Sequence, residues 1–274
     1  MELERTQTGA IVISEATEAT GTELLQTLLD SWSSDLDASE RRHLRALAEQ
    51  LQHVRSAGLR SSNDGALAWR CADQLTRVHV PTWVEATPGS QRAELLRHAG
   101  PIVDAASAAA AAELLSSVRS TIADRRRLSR DVVQKETWSR AWPSAWNMES
   151  SARWAYARDA SLNAAATSSW RAAMRAAKRS GFLALRDTVT RTKDQTLDAL
   201  CEIVSELTNE LIADIAWSAA WQPTWAAATA SNYVPRVDLD QHADMIANEA
   251  IDPTSKVLFE ETLVFTGELL QTVV

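Results

Sequence analysis

Residues 194–225 read DQTLDALCEIVSELTNELIADIAWSAAWQPTW, and three rows at helical spacing run through them. Leu197, Leu200, Val204, Leu207 and Leu211 recur at steps of three and four. Asp194, Asp198, Glu202, Glu206, Glu210 and Asp214 recur at a strict four, as do Trp217, Trp221 and Trp225. Residues three and four apart share one face of an α-helix, whereas a half-buried strand alternates. The stretch is therefore read as part of a long helix from Phe182 to about Trp221, with Pro223 placed to end or kink it.

Working outward, the indole spacing returns at Trp138, Trp142 and Trp146, with Trp154 and Trp170 beyond. Eight of the eleven tryptophans thus fall in two helical stretches. Both carry the pattern W-S-x-A-W-x₃-W with a proline just after the second indole, as a duplicated helical unit or a chain biased to Ala and Trp would leave. Indole rows pack into a core, line a pocket for an apolar or cationic ligand, or form a surface for a partner. The candidate ligand- or partner-binding residues are therefore Trp138, Trp142, Trp146, Trp154, Trp170, Trp217, Trp221 and Trp225. In the pocket reading Trp142, Trp146, Trp217 and Trp221 meet a hydrophobic small molecule.

The remaining sequence is also helical in character. Eight glycines and seven prolines are few for 274 residues, and Ala, Leu, Arg, Glu and Gln dominate between them. Only Gly9-Ala10-Ile11-Val12-Ile13 invites a strand. Thr20-Gly21-Thr22-Glu23 and Asp37-Ala38-Ser39-Glu40 are capping boxes, each opening a leucine-periodic run. A helix is expected to close at Gly58, another to follow Asn63-Asp64-Gly65 and stop at Pro81, and a short one to end at Gly100. A long helix then starts near Pro101. Later helices are expected to end near Gly181 and to occupy about 238–251 and 255–272. The fold class is all-α: a single-domain array of about eight to ten helices over 1–274, with an irregular 58–100 region and a Trp-rich core over 101–274.

Charge is segregated. Lys and Arg against Asp and Glu number 11 and 17 over residues 1–124, 15 and 5 over 125–193, and 2 and 14 over 194–274. A basic middle between acidic ends implies internal neutralisation or a polyanion site. The basic block, with Arg125, Arg126, Arg127, Arg130, Arg171, Arg175, Lys178 and Arg179, has the arginines and aromatics that grip single strands. The net charge of −8 opposes that use, and nucleic acid is not the expected partner. A hairpin turning at Gly181 would set Arg158 between Glu202 and Glu206, Arg153 near Glu210 and Arg175 opposite Asp187. Such pairing relieves a carboxylate row whose like charges repel.

Asp194, Asp198 and Glu202 are the candidate metal ligands. Their spacing resembles the second magnesium-binding motif of class I terpene synthases, a family of all-helical enzymes with aromatic-lined pockets, and that resemblance implies a Mg²⁺-holding helix. It covers only these residues: the central hydroxyl or amide is replaced by a carboxylate, and no D-D-x-x-D partner occurs. Asp238-x-Asp240-x-His242-x-Asp244, with Glu249 in the twelfth place, follows an EF-hand loop but puts Ala243 where that turn needs glycine. Asp238 or Asp240 is read instead as a helix cap.

Nucleotide-binding, zinc-protease, dithiol and nucleophile-elbow motifs are absent, and the five histidines form no close pair. Cys71 and Cys201 sit among apolar residues and are read as buried hydrophobes without a disulfide. No secretory leader or apolar run of spanning length occurs, which places the chain in the cytoplasm as an expectation. No cofactor is expected. The expected function is non-catalytic binding or assembly through the Trp-rich helices, with a protein partner or self-association.

Overall fold

The computed structural model describes residues 21–32, 36–56, 64–87, 91–146, 151–230 and 236–273, and every regular element among them is helical. Gly9-Ala10-Ile11-Val12-Ile13, Thr20 and Gly58 lie outside the described residues. The elements are α1 (Gly21–Trp32), α2 (Ala38–Ser56), α3 (Asp64–Gln74), a π-helical turn (Leu75–His79), α4 (Val80–Glu85), α5 (Gln91–Arg97), α6 (Ala105–Trp146), α7 (Ser151–Arg179), α8 (Phe182–Thr190), α9 (Gln195–Ala230) and α10 (Arg236–Val273). Because α3 and α4 are continuous through the π turn, the described chain forms nine rods. The 58–100 region is more regular than its sequence suggests, since α3, α4 and α5 occupy most of it.

Capping chemistry sets the helix starts. Asp37 Oδ1 accepts the backbone N–H groups of Ser39 and Glu40 at 2.8 Å each, and the Glu40 carboxylate accepts the Asp37 N–H at 3.0 Å, completing a capping box at α2. These bonds to the ionised form hold the Asp37 carboxyl below its ordinary range. Asp104 caps α6 by accepting the Ser107 N–H, and Asp194 caps α9 by accepting those of Thr196 and Leu197.

Prolines do not punctuate this chain as their chemistry suggests. Pro81 is expected to stop a helix and Pro223 to end or kink one near Trp221, and helices over about 238–251 and 255–272 are expected as two, yet Pro81, Pro223 and Pro253 each lie within a continuous rod. Around Pro81 the π turn explains the outcome: the Val80 N–H bonds the Leu75 carbonyl, a five-residue step that widens the helix where proline has no N–H to give. Pro223 and Pro253 are held in rods flanked by buried Trp221 and Trp225, and by buried Ile251 and Ser255. Burial on both sides offsets a local penalty of about 3 kcal/mol.

Helices α7, α9 and α10 pack mutually, and α6 lies along α9. Contacts from Ser168 to Asp240, Arg171 to Asp244 and Arg179 to Asp252 keep one register, so α7 and α10 run parallel. Helix α9 packs against both. The α7 face in this core is built from Ala157, Ala160, Ala164, Ala172, Ala173, Ala176 and Ala177, whose small side chains admit the leucines of α9 at close range.

The sequence places a single hairpin turn at Gly181; the chain instead makes two turns. Gly181 (φ 78°) leads into α8, and a second turn with Lys193 at φ 55° leads into α9. The first turn is gripped from three elements. Trp32 of α1 donates its indole N–H to the Arg179 carbonyl at 2.9 Å, and Thr262 of α10 donates its hydroxyl to the Ser180 carbonyl at 2.9 Å. Arg179 itself bridges Glu40 and Asp252. A Cβ on Gly181 would lie 2.8 Å from Thr262 Cγ2 and 3.0 Å from the Trp32 ring. Gly181→Ala combines a left-handed backbone penalty with overpacking and is expected to cost about 2–4 kcal/mol in urea unfolding. An unchanged midpoint would show that this turn relaxes freely.

Candidate functional site

The two tryptophan rows have separate fates. Trp217, Trp221 and Trp225 are interior: ring centroids lie 5.6 Å apart between the first two, stacked with nearly parallel planes at 6°, and 5.8 Å between the last two. The Arg130 guanidinium carbon lies 4.7 Å above the Trp217 ring and closes that end of the stack. These three candidates therefore belong to the core rather than to a docking surface, because an indole that is 2–6 % exposed offers no face to a partner. Trp138, Trp142, Trp146 and Trp154 lie on α6 and α7, but their side chains fall outside the described residues.

Trp170 is the exception. It stands 65 % exposed on α7, at the edge of a groove of about 690 Å³ between α7 and α10 that is closed at one end by the start of α2. Trp170, Met174 and Ile251 supply apolar surface, and Arg175 and Lys178 supply cations. The acidic wall is already engaged: Glu40 and Asp252 hold Arg179, while Asp37 caps α2. The Ser255 hydroxyl is buried in the same wall and has no hydrogen-bond partner among the described residues.

The second half of the carboxylate row on α9, Glu206, Glu210 and Asp214, is neutralised, though not by the helix expected. Arg119 of α6 bonds Glu206 and Glu210, Arg126 approaches Glu210 at 3.6 Å, and Arg130 bonds Asp214 at 3.0 Å. The partners advance along both helices together, so α6 and α9 are parallel. The hairpin register fails because the second turn at 191–194 intervenes. Arg158 instead bonds its neighbour Asp159, and Arg175 faces Asp244 at 3.8 Å; Arg153 lies outside the residues whose side chains are described. The bond to Glu210 raises the Arg119 pKa, whereas burial pushes the Asp214 carboxyl up against the pull of Arg130 and Arg126. Both Arg119 and Glu210 are partly solvated. Their double-mutant cycle is expected to give about 0.5–1 kcal/mol, with no coupling between Arg158 and Glu206. A measurable Arg158–Glu206 term would reverse the assignment.

Of the metal candidates, Asp194 is occupied as a helix cap, and Asp198 and Glu202 continue one turn apart along α9. No three His, Cys, Asp or Glu side chains among the described residues converge on a cation position. The Asp238–Glu249 stretch forms the first turns of α10 rather than a loop, and its Asp244 is paired with Arg171. Cys71 and Cys201 are free and buried, and burial lifts each thiol pKa to about 12, which keeps them protonated. No described helix is long and apolar enough to cross a membrane. Comparison with protein families, curated proteins and solved structures gives no match.

Two features escaped the sequence reading. Arg119 lies outside the basic block yet provides the main cation for the row, because only the parallel packing of α6 brings it there. Arg92 lies in a short helix and carries no spacing signal, but it lines a cleft with α6 and α9.

Proposed function

We propose that this chain is a non-catalytic helical binding and assembly protein that engages a polypeptide partner, or a second copy of itself, along the α7–α10 groove at Trp170. The observation that carries the reading is the exposure of Trp170 beside Met174 while the other described indole row is closed into the core. A large indole left in water on an otherwise well-packed helix has the character of an interface anchor, and Trp with Arg dominates such anchors energetically. Arg175 and Lys178 add a cationic rim that favours an acidic partner segment and speeds encounter with it. The unpartnered Ser255 hydroxyl supplies a bond for a main-chain group entering the groove.

Sedimentation velocity across a concentration series, together with capture on the immobilised chain, tests the proposal against Trp170→Ser. Association or a retained partner is expected for the native chain and loss of at least about tenfold in affinity for the variant, since an anchor tryptophan contributes more than about 1.4 kcal/mol. Thermal stability should be the same for both. A native chain that stays monomeric and retains nothing beyond what the variant retains ends the proposal.

A further inference from the structure

A second concavity lies on another face of the molecule, where the end of α4 and the start of α5 meet α6 and α9. It encloses about 230 Å³, room for about seven waters at liquid density. Its floor is apolar, formed by Val84, Ile122 and Ile215, and its rim carries Arg92, Arg125 and Arg126 from two different helices. Part of the nearby carboxylate charge is committed elsewhere. Asp214 lines the cleft but is bonded by Arg130, and Glu210, which faces Arg126, is also bonded by Arg119. Arg92 has no carboxylate partner among the described residues, although it is half-buried and points positive charge into a partly dry space.

Charge without a counterion in such a place calls for an anion, because a guanidinium removed from water regains its solvation best from a carboxylate or phosphate held by two parallel bonds. We propose that this cleft binds a small organic anion, with its acidic head on Arg92, Arg125 and Arg126 and a short apolar body against Val84, Ile122 and Ile215. The Ser218 hydroxyl at the mouth supplies one further donor. The hydroxyls of Thr87 and Thr121 already donate to the Val84 and Ser117 carbonyls, so they bound the site without feeding the head. The division into an apolar floor and a cationic rim gives selectivity: inorganic phosphate satisfies only the rim, and a neutral ligand only the floor. The site is independent of the Trp170 groove and shares no residue with it.

The test is thermal denaturation and isothermal titration of the full chain with phenyl phosphate, inorganic phosphate and benzyl alcohol, each at matched ionic strength. Phenyl phosphate is expected to raise the midpoint and to bind more tightly than inorganic phosphate, with benzyl alcohol inert. Arg92→Gln is expected to weaken phenyl phosphate about tenfold or more, in line with loss of a charge-assisted bond. Arg92→Lys keeps the charge and guards against a folding defect; it should bind at an intermediate level. Trp170→Ser should bind as the native chain does, which keeps this site separate from the groove. No midpoint shift beyond that given by sodium chloride, or equal binding by the native chain and both Arg92 variants, would overturn the assignment. Equal affinity for inorganic and phenyl phosphate would remove the apolar floor from it.

Discussion

Acidification from pH 7 is expected to destabilise the fold steeply through one residue, His79. The ring is fully buried in the π turn, 6.0 Å from the Phe182 ring, with Nε2 2.8 Å from the Thr262 hydroxyl. That hydroxyl spends its proton on the Ser180 carbonyl, so it can only accept from His79, and the imidazole is the neutral Nε2–H tautomer. Its Nδ1 is buried with no partner among the described residues, and burial alone lowers the pKa to about 3. The unfolded chain takes up a proton near pH 6.5 while the native one refuses it until about pH 3. Stability is thus complete above pH 6.5 and falls as pH drops between those values, by about 1.4 kcal/mol per unit and up to about 5 kcal/mol in total.

His79→Gln keeps a donor for Thr262 but does not titrate. Urea unfolding of both proteins at several pH values should therefore give a steeper acid decline for the native chain. Parallel declines would mean that the ring protonates in place or that carboxylates account for the whole effect. The consequence reaches beyond one side chain, because Thr262 is also the cap of the α7 terminus. Protonation of His79 would unsettle the turn at Gly181 that routes the chain into α8.

Trp221→Ala carries the second large effect, a loss of about 3–5 kcal/mol in the same assay. The indole is 2 % exposed and stacks against Trp217 on one side and Trp225 on the other, so truncation leaves a cavity that a rigid three-ring row cannot refill. Its ring N–H has no hydrogen-bond partner among the described residues, which makes Trp221→Phe markedly milder: only volume is lost. Trp170→Ala provides the contrast, since an exposed ring should change stability by less than about 0.5 kcal/mol. Similar losses at positions 170 and 221 would contradict the division between anchor and core.

The same division marks what could be read without coordinates. Four-residue spacing says that Trp170, Trp217 and Trp221 lie on helices, and it says nothing about whether a given face meets water or another helix. The capping box at Asp37 was legible because it is closed within four residues. The identity of the cation opposite Glu206 was not, because Arg119 and Arg158 both lie on long helices far from it in sequence. Only the turn at 191–194 and the parallel run of α6 choose between them. Prolines misled for a related reason: proline chemistry is local, whereas a π turn accommodates Pro81 and burial of neighbouring residues in the same rod holds Pro223 and Pro253.

The sequence by itself determined that the chain is helical, where α2 begins, and that a row of carboxylates calls for cations. Those properties depend on bonds and repulsions among residues a turn or less apart. The tertiary structure alone decided that the Trp217 row is interior and Trp170 is not, which arginines answer the carboxylates, and that Arg92 faces a cleft. Each of these depends on which helices become neighbours, and that is governed by the burial of apolar surface summed over the whole chain rather than by any short stretch of it.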